Sequence, residues 1–537
     1  MHALSYSHVS FSWPDGRPVF ADLTFAVPAG LSGIVGRNGI GKSTLLRLAV
    51  GDISPTLGHV ERPSDLAYVP QLVTLATRAT VAEVLGIAPK LTALRAIEGG
   101  SAEPEHFDVL ADDWLVEERS LEMLRSLGLG PLELDRSVGR VSGGEATLLA
   151  VSAALLAAPS VLLLDEPTNN LDAEARELLS SALARRRGAT LVVTHDRQLL
   201  GAVERIGELR ERDDRTTELR WFGGAIDAFD EAIAAEREAA HQSLVTAKAI
   251  AQREHRDLRT RVEGDGKRRQ RAVKARANAE VTRGGVKAKQ DQAAKTEARV
   301  SKVHEARLAA ANDALEAARA AIPRDRSIRI ELPGSKVPAR RAVAELDGLV
   351  TRAGTAVTAA IQGPERILLA GRNGSGKTTL IATLLGEVTP ASGRVSVSVP
   401  VGYLPQRLNV LRDELSVADN VRNRAPGATP QEIRDQLGKF QFRGERADAL
   451  AGTLSGGERF RAALACVLLA RPEPQLLILD EPTNNLDFES QAQLVQALGA
   501  FEGALVVVSH DDAFVEAISP TRRWELVEGT VRDVPIS

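Results

Sequence analysis

Gly36-Arg37-Asn38-Gly39-Ile40-Gly41-Lys42-Ser43-Thr44 and Gly371-Arg372-Asn373-Gly374-Ser375-Gly376-Lys377-Thr378-Thr379 share the spacing Gly-x4-Gly-Lys-Ser/Thr. Glycines at these positions let consecutive backbone N–H groups turn inward around phosphate oxygens. The lysine reaches the β and γ phosphates of a nucleotide, and the hydroxyl of Ser43 or Thr378 binds Mg²⁺. A following helix would add the positive end of its dipole. Two such loops, each after a short apolar run, point to two nucleotide sites.

Asp165 and Asp480 close the apolar runs Val161 to Leu164 and Leu476 to Leu479. A carboxylate at the end of a buried strand can hold the Mg²⁺ that Lys42 or Lys377 cannot. Glu166 and Glu481 follow directly, and because side chains alternate along a strand they need not share the metal and can polarise an attacking water. His195 and His510 each lie 29 residues beyond that glutamate and end another apolar run. One histidine at a strand end would read as packing or a cap. Equal spacing in two copies favours a sensor of the γ-phosphate that orients water or stabilises charge.

The elements that must position these residues come from a tandem duplication. Each half carries, in the same order, a glycine loop, a Ser-Gly-Gly-Glu segment (from Ser142 and from Ser455) and Asp-Glu-Pro-Thr-Asn-Asn-Leu-Asp (Asp165 to Asp172; Asp480 to Asp487). Leu31 to Val35 and Ile367 to Ala370 read as strands that run into the loops, with helices at Leu45 to Leu48 and Leu380 to Leu385. Val161 to Leu164, Leu191 to Val193, Leu476 to Leu479 and Leu505 to Val508 read as buried strands of a mostly parallel sheet. Between the halves, from about Ala225 to Ala321, proline disappears and alanine and charge dominate. Two long helices are expected, Ala225 to Glu263 and Val286 to Ala321, either side of a basic tip and held by alanine packing and charge pairs.

Length and composition bound the rest. The 537 residues, 44% hydrophobic and 26% charged, are enough for two or more cores. A single cysteine, Cys466, excludes a disulfide scaffold and a clustered-cysteine metal site and fits a reducing compartment, so a cytoplasmic protein without structural metal is expected. The apolar runs are strand-sized, far from the roughly 20 residues of a membrane span, and residues Met1 to Tyr6 lack the pattern of a secretory signal. Residues 251 to 310 carry nine excess positive charges, which leaves the remainder at −13 within a net −4. The basicity peaks in Lys267-Arg268-Arg269-Gln270-Arg271 and continues through Lys274, Arg276, Arg283, Lys287 and Lys289, with no aromatic residue for stacking on bases.

Taken together these motifs resemble the ATP-binding cassette ATPases, over roughly 430 residues. In that family Ser142-Gly143-Gly144-Glu145 and Ser455-Gly456-Gly457-Glu458 would each open a helix and cap the γ-phosphate of ATP held by the other half's glycine loop. Gln71 and Gln406, each 29 residues after the loop lysine, match its glutamine loop and would reach Mg²⁺. Leu171-Asp172 and Leu486-Asp487 match its interdomain loop. Trp13 stands where the family places an aromatic that stacks on adenine. Two cassettes, no membrane span and a basic helical insert after Trp221-Phe222-Gly223-Gly224 resemble its family F. The resemblance implies an α/β fold with two P-loop ATP-binding cassette domains joined by a long two-helix linker, with boundaries 1–222, 223–323 and 324–537. It further implies a functional monomer that hydrolyses ATP at two composite sites. Its linker would lie toward the ribosome's peptidyl-transferase centre and tRNA, as in a translation factor or a ribosome-protecting resistance protein. Lys267, Arg268, Arg269, Arg271, Lys274 and Arg276 would neutralise rRNA or tRNA phosphates.

The halves also differ. Ala146-Thr147-Leu148 follows the first Ser-Gly-Gly-Glu where Arg459-Phe460-Arg461 follows the second, and no aromatic lies between Ala342 and Ile367. Unequal sites are expected. Val141 lies 70 residues beyond Gln71 in the first half, Leu454 only 48 beyond Gln406 in the second, and the acidic stretch Glu98 to Glu118 reads as a small arm or a solvated loop. The alternatives are the ATPase component of a drug exporter with a separate membrane protein, and a DNA-associated repair-type cassette protein, which zinc ligands or a very long coiled coil would favour.

Overall fold

Buried apolar runs frame each half. The computed structural model describes residues 4–71, 73, 78–130, 132–212, 214, 216–276, 302–303, 306–319 and 330–536. The chain divides into two compact units, Met1–Ala228 with Ser327–Ser537, and Phe229–Arg326.

The first unit holds two nine-stranded mixed sheets. From edge to edge the first runs Leu57–Glu61, Leu4–Ser12, Pro18–Val27, Thr217–Gly223, Arg205–Glu211, Gly30–Gly36, Ala189–Val193, Val161–Asp165 and Ala67–Val69. The second repeats the order with Ser392–Val397, Ala342–Val350, Ala356–Gln362, Thr530–Pro535, Arg522–Val527, Arg366–Ala370, Ala504–Val508, Leu476–Asp480 and Val401–Leu404. The last five strands in each order are parallel, and the central ones, Val161–Asp165, Ala189–Val193, Leu476–Asp480 and Ala504–Val508, are buried throughout, as expected for runs without a polar alternation. Alternate residues of Leu476–Asp480 feed two cores: Leu477 and Leu479 pack on one face, Leu476 and Ile478 on the other.

This order positions the site. Gly30–Gly36, Ala189–Val193, Val161–Asp165 and Ala67–Val69 are neighbours, so their carboxyl ends bring the glycine loop, His195, Asp165-Glu166 and Gln71 side by side. These residues span more than 150 positions of sequence. Gly41 and Gly376 cap the helices Lys42–Val50 and Lys377–Leu384 at φ +115° and +104°. That backbone favours glycine, and a Cβ there would come within 2.8 Å of Val19 or 2.6 Å of Thr355.

Residues 98–118 are not a solvated loop but fold into short helices. Helices Pro104–Leu110 and Val116–Ser126 pack with Ala88–Glu98, burying Leu110 and Val116, and Lys90 pairs with Asp113 at 2.9 Å.

In the second unit the first linker helix does not stop at Glu263. Ile226–Arg276 is one helix of 51 residues, about 76 Å long, that runs through Gly264 and carries the basic cluster on its last turns. A mid-helix glycine costs only about 1 kcal/mol against alanine, and the surrounding alanine, arginine, lysine and glutamate offset it. Of the second linker helix, residues 302–303 and 306–319 are helical, while 286–301, 304–305 and 320–321 lie outside the described residues. Ala251, Ala311 and Ala318 are buried, and Arg319 pairs with Glu316 at 2.6 Å. Lys267 and Arg271 are exposed, whereas the side chains of Arg268, Arg269, Lys274 and Arg276 lie outside the description.

Candidate nucleotide sites

The glycine loops fold back on their lysines. Lys42 Nζ donates to the carbonyls of Gly36 and Arg37 and lies 3.4 Å from Asn38 Oδ1, while Lys377 reaches the carbonyls of Gly371 and Arg372. Lys42 Nζ is also 2.8 Å from His195 Nε2, and Lys377 Nζ is 3.5 Å from His510 Nε2. An ammonium only donates, so each Nε2 accepts and the imidazole proton sits on Nδ1. Burial holds both histidines well below their usual range, His510 at about 4, with Lys377 and Arg176 adding to the effect. Both are therefore neutral at pH 7.

The carboxylates stand where they can divide metal and base roles. The Ser43 hydroxyl hydrogen-bonds Asp165, and Thr378 Oγ1 is 3.4 Å from Asp480 Oδ2. Asp165 Oδ1 is buried without a hydrogen-bond partner among the described residues. An orphaned carboxylate oxygen beside a hydroxyl fits Mg²⁺, a hard cation that takes oxygen ligands. Glu166 and Glu481 sit at φ +50° and +48°, a strained backbone held by Glu166 N–H to Val193 O at 2.8 Å and Glu481 N–H to Val508 O at 2.9 Å. Burial pushes both carboxyls up to about 7, and they lie 3.6 and 3.3 Å from Nε2 of His195 and His510.

Each site draws residues from both halves. Asn38 N–H donates to Asp487 Oδ2 at 2.7 Å and Asn38 Nδ2 to Asn485 O at 2.8 Å. The mirror contacts are Asn373 N–H to Asp172 Oδ2 at 3.2 Å and Asn373 Nδ2 to Asn170 O at 3.1 Å. Arg37 pairs with Glu489 at 2.9 Å and Arg372 with Glu174 at 3.1 Å. Gln71 Nε2 donates to Asn485 Oδ1 at 3.3 Å, and Gln406 Nε2 to Asn170 Oδ1 at 2.9 Å. Burial raises the Asp487 carboxyl, but hydrogen bonds from Asn38 and Ser490 outweigh it and hold it below the usual range.

Ser142 and Ser455 cap the helices Gly143–Leu156 and Gly456–Leu468, each in a reciprocal capping box with Glu145 or Glu458. A Cβ on Gly456 would lie 3.8 Å from Asn38 Nδ2, so the second signature helix opens toward the first glycine loop. Gly144 lies against the Asn170 carbonyl that accepts from Asn373, so the first signature helix reaches the second loop through Asn170. A cavity of about 250 Å³ at the second site is lined by its glycine loop, Gln406, Asp480, Glu481 and His510 of one half and Asn170 and Leu171 of the other. Thr44 is buried beside Lys42, and Thr379 lines this cavity.

Two differences between the halves take structural form. Trp13 N–H bonds Arg17 O as Thr351 N–H bonds Thr355 O, so Thr351 is the counterpart of Trp13 and the second half has no aromatic there. Trp13 itself is half-buried, edge-on to Phe11 at 5.1 Å. After the signature serines, Ala146 and Leu148 are buried, whereas Arg459 is tied to Asp413. Sequence reasoning missed Asn170, Asn485 and Arg176. Repetition of the Asn-Asn pair in both halves was the available signal for the asparagines, and none existed for the arginine.

The ABC transporter family model matches residues 20–169 and 355–484. Tylosin resistance ATP-binding protein TlrC of Streptomyces fradiae is 34% identical over 546 residues, covering 96% of each chain. Probable ATP-binding protein YheS of Escherichia coli is 31% identical over 494 residues, 89% of this chain and 72% of that one. Among solved structures, RNase-L Inhibitor superposes with a TM-score of 0.59 at 20% identity, over 100% of this chain and 90% of that one. The archaeal ribosome recycling factor aABCE1, in complex with stalk protein aP1, gives 0.58 at 19% identity, over 98% and 90%. The duplicated topology, the paired sites and these likenesses agree that the chain belongs to the ATP-binding cassette family, in its tandem-cassette branch F.

Proposed function

We propose that this protein hydrolyses ATP at two composite sites and uses cassette closure to set its basic linker on rRNA or tRNA of the ribosome, protecting it from an antibiotic. The observation that carries the reading is the reciprocal seam, in which each glycine loop is held by the Asn-Leu-Asp segment of the other half. ATP bound between loop and opposite signature helix would join the halves, and hydrolysis would release them. In each site Lys42 or Lys377 steadies the β and γ phosphates, and Glu166 or Glu481 takes a proton from the attacking water. His195 or His510, neutral, donates from Nε2 to the γ-phosphate in the tautomer it takes once the lysine turns from the ring to the phosphates. Ser43, Asp165 and Gln71, or Thr378, Asp480 and Gln406, would hold Mg²⁺. Bound there, Mg²⁺ would supply charge neutralisation at the phosphates.

The ribosomal part of the reading is supported by the exposed Lys267 and Arg271 on a helix of 51 residues and by a relative named for tylosin resistance that matches nearly end to end. No helix among the described residues is long and apolar enough to cross a membrane. Sedimentation of the Glu166→Gln, Glu481→Gln protein with ATP tests the proposal. Migration with ribosomes, and lower drug sensitivity of cells making the unsubstituted protein, is expected. Migration with membrane vesicles would return the exporter reading.

A further inference from the structure

The seam is symmetric at the glycine loops and asymmetric at the histidines. Duplication aligns Ala173 with Phe488, Arg176 with Gln491 and Asp512 with Arg197. In the first site Phe488 crosses the seam and sets its ring edge-on to His195, with centroids 5.3 Å apart and planes at 88°. The Arg197 guanidinium lies over the same ring at 5.4 Å. In the second site the equivalent place is occupied by Ala173, and a cavity of about 320 Å³ remains beside His510, bordered by Ala173, Asp512 and Arg372. His510 is held differently. Arg176, its side chain 11% exposed, donates from Nη1 to the His510 carbonyl at 3.3 Å, pairs with Asp196 Oδ2 at 3.2 Å, and donates from Nε to Leu171 O at 3.1 Å.

We propose that each γ-phosphate histidine is positioned by the opposite half through a different residue, Phe488 for His195 and Arg176 for His510. Arg176 is then a positioning residue of the second site. An aromatic wall restrains the imidazole itself and leaves no room for it to swing. The arginine instead fixes the backbone that carries His510 and ties that backbone to Leu171 and Asp196 of the first half, so the ring keeps space on one side. Movement of the first half's Leu171–Asp172 segment is thereby transmitted to the second histidine through a planar three-contact guanidinium. The first histidine instead meets the opposite half through the edge-on ring of Phe488.

The inference rests on both sites being hydrolytic, and the test separates the two claims. In a Glu166→Gln background the remaining turnover reports the second site, and in Glu481→Gln the first. Arg176→Gln, which installs the amide found at the aligned position, is expected to lower second-site kcat about tenfold or more, with KM changed less than about threefold. First-site turnover in the same chain should fall several-fold less, and it serves as the control for folding. Phe488→Ala should show the opposite preference, and Arg176→Lys, which keeps the charge but not the planar three-contact fork, should recover only part of the second-site rate. Equal losses at both sites, no loss at either, or loss of all turnover from one glutamate substitution alone would overturn the inference. An unsubstituted chain that does not hydrolyse ATP would overturn the ATPase reading with it.

Discussion

The two nucleotide sites agree at the strand ends and where each glycine loop meets the opposite half, and they diverge on the base side and around the histidines. Lysine, hydroxyl, aspartate, glutamate and histidine are duplicated, and both glutamates share the same strained backbone and the same upward displacement to about 7. Around this shared centre the base side carries Trp13 in one half and Thr351 in the other, and the histidine faces Phe488 in one and Arg176 in the other. The difference teaches that parallel strand order constrains the chemistry, since shifting one strand end would misplace every group. Contacts from outside the sheet are free to set affinity and timing.

The shared centre can be broken most severely by removing both bases. Glu166→Gln with Glu481→Gln should lower turnover at least about a hundredfold while ATP still binds. A phosphate-release assay retaining activity within about twofold would remove these glutamates from the role.

Trp13→Ala sharpens the difference on the base side. Aromatic stacking on a base contributes roughly 1 to 3 kcal/mol, so one class of site should weaken by about fivefold to a hundredfold and the other should not move. Equilibrium binding of ATP resolves the classes, and two unaffected sites would make Trp13 a packing residue only.

The pH profile examines what the sites have in common. Only an ionised glutamate accepts a proton, and both carboxyls titrate near 7, so kcat/KM should fall about tenfold per unit as pH drops below that value. The histidines stay neutral through this window because burial lowers them. For stability the sign is reversed: a carboxyl raised in the folded state stabilises at low pH and loses that contribution as pH rises through about 7. A turnover profile flat between pH 6 and 8 would contradict the base assignment.

The smallest effect on the sites is expected from the linker. Changing Lys267, Arg268, Arg269 and Arg271 to alanine should leave ATP affinity at both sites unchanged and the melting temperature within about 2 °C, because exposed charges such as Lys267 and Arg271 contribute little. Ribosome binding should weaken, and its slope of log affinity against log salt should fall by somewhat under one unit per lost phosphate contact. An unchanged slope would make the cluster a solvated face.

Local rules made much of this molecule legible. Repeated loops, Asp-Glu pairs and histidine spacing were readable in the sequence because each motif is contiguous and its chemistry fixes the residue types. Strand positions were readable for the same reason, since a run such as Val161 to Leu164 is buried on both faces and needs no polar alternation. The end of the first linker helix was misread. Gly264 and Gly266 look like breakers, yet a penalty of about 1 kcal/mol each does not stop a helix of 51 residues. The stretch Glu98 to Glu118 was obscured because its surface charge outnumbers the few residues, Leu110 and Val116 among them, that anchor its helices.

What the sequence determined by itself is therefore the inventory: two phosphate loops, two acid pairs, two histidines and a basic insert. Tertiary structure alone decided the partners. Asn170 meets Gln406, Asp487 meets Asn38, and Arg176 meets His510 across separations of 236, 449 and 334 residues. No periodicity or propensity spans such distances. These contacts exist because two sheets with the same strand order face each other with their carboxyl ends together, and that juxtaposition belongs to the packing of the halves rather than to either half.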